Sequence, residues 1–414
     1  ILGMIGFSCY VLADSYFISI AKGADGLTAL NLVMPLYSII FSIGEMIGVG
    51  SAIRYAISKI KKDADADDYF WNAIIWCILS SILFVFAGIF FSADIMRILG
   101  ADEHIVAVGN NYTKIFMCFA PMFMCNYVTN AFVRNDGAPG IAMSATLFSS
   151  LFNIVFDYIL MFPMNLGMEG AALATALSPI IGMGICSIHF FSKKSRVRLV
   201  VCKPSVRKLV AGCQLGVSAF VGEMSSAVIT LAFNFVILKL AGNVGVAAYG
   251  VVANIAIVTT AVFNGVAQGS QPLISSCFGR GDKDGCTQLK RMGYTTAFVL
   301  AAVMYSILFI FAGQFVAVFN SEGSEMLRLY ATEGVKLYFI GIFFAGINIV
   351  GGGAFSATED AFKAAVVSVA RGFVLILGAV FVMSALFGMT GVWLAYAVAE
   401  GITTFIMLVM ALRV

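Results

Sequence analysis

The stretch GMEGAALATA, residues 167–176, decides the architecture of this chain because it occurs twice. It recurs 221 residues later as GMTGVWLAYA, residues 388–397, with its glycines and its Leu-Ala step in the same places. A second pair keeps almost the same spacing, since GLTALNLVMP at residues 26–35 matches GVAAYGVVAN at residues 245–254. Two matched pairs at nearly one spacing indicate an internal duplication of the whole chain.

The composition is that of a membrane protein. Of the 414 residues, 61% are hydrophobic and 11% are charged, and the mean hydropathy is +0.97. Soluble globular chains do not have this balance. A helix needs about 20 apolar residues to cross the hydrocarbon core, and runs of this length fill nearly the whole sequence. We therefore predict twelve spanning segments, at residues 1–21, 27–57, 70–92, 106–133, 139–162, 168–192, 209–240, 245–277, 293–319, 326–357, 361–387 and 390–412.

Six predicted segments lie in each copy of the repeat, which gives an all-α polytopic membrane protein with two pseudo-symmetric six-helix lobes. The N-terminal lobe is expected at residues 1–192, a basic linker at residues 193–208 and the C-terminal lobe at residues 209–414. Because each lobe crosses the membrane an even number of times, both lobes have the same orientation and are related by an axis along the membrane normal, as in many secondary transporters. The substrate site is then expected between the lobes. Helix breakers such as Pro121 and Gly351-Gly352-Gly353 are predicted to bend or unwind helices there.

The distribution of basic residues predicts the orientation. Lys and Arg are concentrated in the connections that follow even-numbered segments and are scarce after odd-numbered ones. By the positive-inside rule both termini lie in the cytoplasm, and we expect a multi-pass protein of the cytoplasmic (inner) membrane. The basic linker is then interpreted as a solvated connection that sets the topology, in preference to a specific site for anionic lipids. The first segment starts without Met or a signal-peptide n-region, so we expect the sequence to begin inside the first helix.

Several function classes are not indicated. The nine cysteines are odd in number and contain no Cys-x-x-Cys, so neither a disulfide framework nor a zinc or redox site is predicted. His104 and His189 lie near opposite membrane faces and cannot form a paired metal site. A formal charge of +3 is too small to indicate nucleic acid. No nucleophile–histidine pair or phosphate loop is present, so we expect neither an enzyme nor an organic cofactor.

Acids inside the apolar segments are the candidates for chemistry, because an ionised carboxylate at membrane depth costs at least about 2.5–3.5 kcal/mol unless it is paired or hydrated. Asp14, Asp157 and Thr175 each lie seven or eight residues from the predicted outer surface, about 10–12 Å deep. Asn153 lies one helical turn from Asp157. These oxygens suit a hard cation such as Na+, and two nearby carboxylates can also share a proton. Alternatively, the four groups satisfy one another or line an outer vestibule.

At these residues the chain resembles the MATE family, the multidrug and toxic compound extrusion transporters, over essentially its whole length. The resemblance rests on Ala13-Asp14-Ser15, Asn153-x-x-x-Asp157 and the sequence at residues 167–175, with support from residues 134–137 and 267–272. It implies two lobes in a V shape that open alternately to either side. It also implies export of amphipathic, often cationic compounds in exchange for Na+ or H+, and it assigns the cation site to Asp14, Asn153, Asp157 and Thr175.

Further acids lie in other segments. Glu223 is placed near the membrane midplane on the seventh segment and resembles a glutamate that some family members use in the C-lobe. It is a candidate coupling or substrate-binding acid, and the alternative is a paired acid with a structural role. Glu45 is a second candidate for this role, although an ion pair with a structural or gating function is the favoured interpretation of this acid. Glu400 is expected to form such a pair with Arg371.

Methionine, aromatic and amide side chains in the second, fourth, fifth, eighth and tenth segments predict an adaptable drug surface. Any one of these residues could instead serve helix packing. The expected partners are amphipathic drugs or dyes and membrane lipids, with the protein as a monomer. The predicted substrate cavity comprises Met34, Tyr37, Tyr127, Phe152, Tyr249, Asn254, Asn264, Gln268, Gln271 and Asn348.

Two alternatives keep the membrane architecture and change the function. A flippase or exporter of lipid-linked or other anionic cargo could use the same two-lobed scaffold, but it would need several cationic residues in the cavity, where acids and amides are predicted. A channel or structural membrane protein is the second alternative. Uphill accumulation of a substrate would distinguish a carrier from a pore.

Overall fold

The computed structural model describes residues 2–319 and 324–412, and within these ranges the chain is helical and contains no β-strand. The prediction of an all-α polytopic membrane protein is therefore confirmed. Among the described residues, ten helical runs are long and apolar enough to cross a membrane, and eleven are if the bent fourth helix is counted as one span. The last run, Ala361–Ala411, is divided by Gly388 into two helices, so the labels go up to α12. The helices are α1 Leu2–Gly23, α2 Asp25–Lys61, α3 Asp68–Ile98, α4 Glu103–Cys118 with Ala120–Asn135, α5 Pro139–Met161, α6 Gly167–Phe190, α7 Val206–Gly242, α8 Val244–Gly279, α9 Lys283–Ile310 followed by the short helix Ala312–Phe319, α10 Glu325–Ala357, α11 (361–387) and α12 (389–411).

Single glycines separate helices at equivalent places in the two copies. Gly23 lies between α1 and α2 with φ 59°, and Gly242 lies between α7 and α8 with φ 62°. Gly167 at the start of α6 (φ 52°) and Gly388 between α11 and α12 (φ 58°) form the second equivalent pair. This left-handed backbone is strained for other residues and costs glycine little. The backbone conformation therefore has the same internal repeat as the sequence.

The helix breakers have different effects. The two segments of α4 meet at an angle of 46°, and Pro121 lies in the first turn of the second segment, where its missing N–H leaves no hydrogen bond unmade. The predicted bend at Pro121 is confirmed. Gly351-Gly352-Gly353, in contrast, stays inside a continuous helical segment, Ile342–Ala357. Packing explains this glycine run better than unwinding, because a side chain at Gly351 would collide with Met407.

The described residues form two compact units, 2–220 and 221–412, and the boundary between them falls inside α7. The first unit holds α1–α6, the connection to α7 and the start of α7. Its core contains large buried aromatic side chains such as Phe116 and Phe132. The second unit has its own core, which includes Phe263 and Trp393.

The first unit contains a close contact between the backbones of α2 and the start of α7. A Cβ atom at Gly50 would overlap backbone atoms of Gly212 and Gly216. Nearby, the Nε atom of Arg54 donates a hydrogen bond to the carbonyl oxygen of Ala211 at 3.2 Å. Glycine is required at this crossing because the helices leave no room for a side chain.

Candidate ion-coupling site

The first unit brings the four predicted ion-site residues together. Asp14 on α1, Asn153 and Asp157 on α5, and Thr175 on α6 are all buried. In the amide orientation that satisfies both of its ends, Asn153 donates from Nδ2 to Asp157 Oδ2 at 3.1 Å and accepts at Oδ1 from Thr175 Oγ1 at 3.1 Å. Asp14 lies close enough to Asp157 for the two carboxylates to interact electrostatically. The four residues that residue counting placed at one depth in the membrane therefore also lie side by side in the unit.

Two tyrosines extend this cluster. The Tyr112 hydroxyl lies beside the Asp14 carboxylate and is hydrogen-bonded to the Tyr37 hydroxyl. The Tyr37 ring stacks on Phe116, with ring centroids 3.7 Å apart. Sequence reasoning missed Tyr112 and placed Tyr37 on the drug surface. Tyr112 lies nine residues inside α4, so depth matching extended from carboxylates to hydroxyl groups could have identified it.

One oxygen of each acid lacks a partner. Asp14 Oδ1 and Asp157 Oδ1 are buried and accept no hydrogen bond in the part of the chain that the structure describes. Buried polar atoms almost always have a partner, and a carboxylate without one is costly at membrane depth. A monovalent cation or a shared proton would supply the missing contact. Two acids with neutral oxygens nearby are ligands that suit a hard cation, and the described residues contain no group of three His, Cys, Asp or Glu side chains that could hold a metal ion.

The second unit contains a buried ion pair. Arg371 donates from Nε to Glu400 Oε1 at 2.9 Å and from a terminal nitrogen at 2.8 Å. Asn348 donates from Nδ2 to Glu400 Oε2 at 2.7 Å and accepts from Thr404 Oγ1 at 3.0 Å. The predicted pairing of Arg371 with Glu400 is confirmed. Asn348, which was predicted to line the substrate cavity, is held in this network.

The two remaining acids occupy separate surroundings. Glu45 is buried on α2, on the same side of the unit as Arg134 of α4, with which it interacts electrostatically. The ion pair expected for Glu45 stays a prediction. Glu223 is partly buried on α7, near the start of the second unit.

The other predicted cavity residues fall into two groups. Tyr249 is buried and stacks on Phe233, with ring centroids 5.0 Å apart, so it belongs to the core of the second unit. Gln271 is also buried, and its Oε1 atom has no hydrogen-bond partner among the described residues. Six residues keep partly exposed side chains: Met34, Tyr127, Phe152, Asn254, Asn264 and Gln268.

A duplicated helical membrane fold with a buried acid pair defines a two-repeat membrane transporter. The MatE family model matches residues 1–159 and 219–381, which covers most of the chain and both copies of the repeat. The chain belongs to the MatE family.

Individual relatives and solved structures agree with this assignment. The multidrug export protein MepA of Staphylococcus saprophyticus is 26% identical over 401 residues, covering 95% of this chain and 87% of MepA. MepA of Staphylococcus aureus (strain MRSA252) is 27% identical over 405 residues with the same coverage. The outward-facing structure of a multidrug resistance MATE family transporter of the MOP superfamily gives a TM-score of 0.92 at 20% identity and covers 100% of this chain and 93% of that chain. A MOP superfamily transporter from Pyrococcus furiosus gives a TM-score of 0.90 at 20% identity and covers 99% of this chain and 92% of that chain.

Proposed function

We propose that this protein is a multidrug efflux antiporter that exports amphipathic, often cationic compounds in exchange for Na+ or H+ by alternating access. The observation that carries the proposal is the buried pair Asp14 and Asp157, in which each carboxylate keeps one oxygen without a partner. The MepA relatives are named as multidrug export proteins, which supports the drug class. The protein acts as a monomeric secondary transporter in the cytoplasmic membrane, with both termini in the cytoplasm and without an organic cofactor.

The side chains around the acids prepare them for an ion. Asn153, which is itself held by Thr175, bonds to the Oδ2 atom of Asp157 and leaves Oδ1 available. Tyr112 lies beside Asp14, and Tyr37 holds Tyr112 in place. Na+ would be held by the free carboxylate oxygens with neutral oxygens nearby, whereas a proton would be shared between the carboxylates.

Coupling follows from electrostatic repulsion between the acids. Without the ion, two like charges face each other in a medium of low dielectric constant, which disfavours close packing of α1 against α5 and α6. Ion binding removes this repulsion and favours the packed arrangement. A difference of about 1.4 kcal/mol in ion affinity between the two access states changes their ratio about tenfold. A drug that prefers the other state then drives ion release.

Each unit contributes its own drug-contacting residues, and this role is assigned to the predicted cavity residues whose side chains remain partly exposed: Met34, Tyr127 and Phe152 in the first unit, and Asn254, Asn264 and Gln268 in the second. Methionine and aromatic groups such as Met34, Tyr127 and Phe152 adapt to varied apolar shapes, and the amides of Asn254, Asn264 and Gln268 orient polar groups without requiring one charge. Glu223 on α7 adds a negative charge that favours organic cations.

The proposal is tested by ethidium efflux from proteoliposomes, with a Na+ gradient and a pH gradient imposed separately. Wild-type protein is expected to export ethidium under one of the gradients, and Asp157→Asn is expected to abolish this export. Asp25→Asn is the matched control, because it removes an exposed carboxylate that pairs with His104, and it is expected to leave export intact. Absence of wild-type export under both gradients would overturn the proposal and favour an anionic, lipid-linked cargo.

A further inference from the structure

The connection between α6 and α7, residues 191–205, is an irregular segment that we call the strap. Its backbone is hydrogen-bonded to side chains of the first unit near the ends of α3 and α4. A backbone held in this way does not need its own side chains for attachment. The three bonds run from the N–H groups of Arg196 to Asp136 Oδ2 (2.8 Å), Arg198 to Asp67 Oδ1 (3.1 Å) and Ser205 to Asn72 Oδ1 (2.7 Å).

The principal anchor of the strap is part of the folded core. Asp136 is buried, and besides the strap it accepts hydrogen bonds from the Tyr55 hydroxyl at 2.8 Å and from His189 Nε2 at 2.8 Å. These partners lie on α2 and α6, so the anchor is fixed by two other helices of the unit. Val197 is the one fully buried apolar side chain of the strap. The path of the strap is therefore set by its backbone, by Val197 and by contacts of the Ser195 and Arg196 side chains with Asp136, which leaves the side chains of its lysines available.

The exposed side of the strap combines positive charge with apolar groups. Lys193, Lys194 and Lys203 are exposed, and in the part of the chain that the structure describes none has a carboxylate within ion-pair distance. Phe191 is 82% exposed and Val201 is 76% exposed. A connection that is merely solvated gains nothing from exposing large apolar side chains, because water contact with them is unfavourable.

We propose that the strap is a binding surface for the anionic phospholipid headgroups of the leaflet that faces the end of α6 and the start of α7. The lysines would contact headgroup phosphates, while Phe191 and Val201 would insert at the boundary between headgroups and acyl chains. Basic side chains next to membrane helices attract anionic lipids, which are enriched in cytoplasmic leaflets. The positive charge and the position at two helix ends favour this partner over a soluble protein.

The lipid retained by the protein tests this proposal. Wild-type protein is reconstituted into nanodiscs of equal parts phosphatidylglycerol and phosphatidylcholine, and native mass spectrometry measures the ratio of the two lipids that stay bound. The variant K193Q/K194Q/K203Q is expected to lower this ratio at least about fivefold, because each lysine near an anionic surface contributes attraction. Retention of the wild-type ratio would overturn the proposal.

A matched control separates the strap from general surface charge. R280Q/K283Q/R291Q removes three basic side chains that are exposed in the connection between α8 and α9 and in the first turns of α9, and it is expected to keep the wild-type lipid ratio. An equal loss in this control would mean that net charge, not the strap, selects the lipid, which contradicts the proposal.

A second variant separates a lipid surface from a site for soluble anions. F191S/V201S keeps every charge and is expected to lower phosphatidylglycerol retention about twofold or more, since the apolar insertion is lost. Unchanged retention in this variant, together with displacement of the lipid by inorganic phosphate from the wild-type protein, would assign the strap to a soluble anion and overturn the lipid proposal.

Discussion

The buried pair of Arg371 and Glu400 gives a stability prediction whose size follows from its contacts. Glu400→Gln preserves the shape of the side chain and removes the charge that two nitrogens of Arg371 contact at 2.8 and 2.9 Å. Because these side chains are 17% and 4% exposed, water cannot take over the role of the carboxylate. Breaking a buried pair by removing one partner costs about 3–5 kcal/mol, so we expect a loss of this size in the free energy of unfolding.

The assay is a double-mutant cycle on purified protein in detergent, with unfolding followed by tryptophan fluorescence. Arg371→Met combined with Glu400→Gln removes both charges and is expected to recover most of the loss, because no isolated charge remains in the membrane. Glu325→Gln disrupts a solvent-exposed ion pair with Arg328 and is expected to have a negligible effect. The reasoning is refuted if the double variant is as unstable as Glu400→Gln, or if Glu325→Gln costs as much.

Gly50→Ala is expected to destabilise the protein by about 1–3 kcal/mol because its Cβ would overlap the backbone of α7. Gly184→Ala is the control, since the space around Gly184 is open, and it is expected to be neutral or stabilising. Thermal unfolding of both variants measures the difference. Asp136→Asn is expected to loosen the strap and to speed tryptic cleavage after Lys194, and unchanged cleavage would contradict its role as the anchor. Asn153→Leu is expected to abolish gradient-driven efflux while the protein remains folded, which transport and circular dichroism together can check.

The helices could be predicted closely from the sequence because apolar length and terminal residues determine them. The predicted segment 139–162 becomes Pro139–Met161, and 168–192 becomes Gly167–Phe190. The connection between α1 and α2 was less predictable. Polar residues at 22–26 indicate a loop, yet helix continues on both sides of Gly23, because a helix can extend beyond the hydrocarbon core into the polar interface.

The acid cluster could be predicted in part because depth in a membrane follows from residue number at about 1.5 Å per residue. Lateral contacts depend on helix rotation and packing, which residue counting does not give. Tyr112 was therefore missed, and the hydrogen bond that ties Tyr37 to it could not be foreseen. The hydrogen bond from Asn348 to Glu400 is likewise a lateral contact, and the depth of Asn348 in the membrane does not predict it.

The backbone anchoring of the strap was outside the reach of sequence reasoning. The sequence shows a basic stretch and an acid at position 136, but it does not show that main-chain N–H groups, and not lysines, contact the acid. Charge pattern alone predicts pairing of opposite side chains. In the structure both the main-chain N–H and the guanidinium of Arg196 contact Asp136, whereas the lysines of the strap remain exposed.

Asp14 and Asp157 are proposed to form the site of the coupling ion, and ion binding to purified protein tests this assignment most directly. Binding of radiolabelled Na+ and uptake of protons would be measured before and after addition of ethidium. Wild-type protein is expected to bind one of these ions and to release it when ethidium is added. Glu223→Gln is expected still to bind the ion, and Asp14→Asn/Asp157→Asn is expected not to bind it. Ion binding by this double variant at the wild-type level would contradict the assignment of the site.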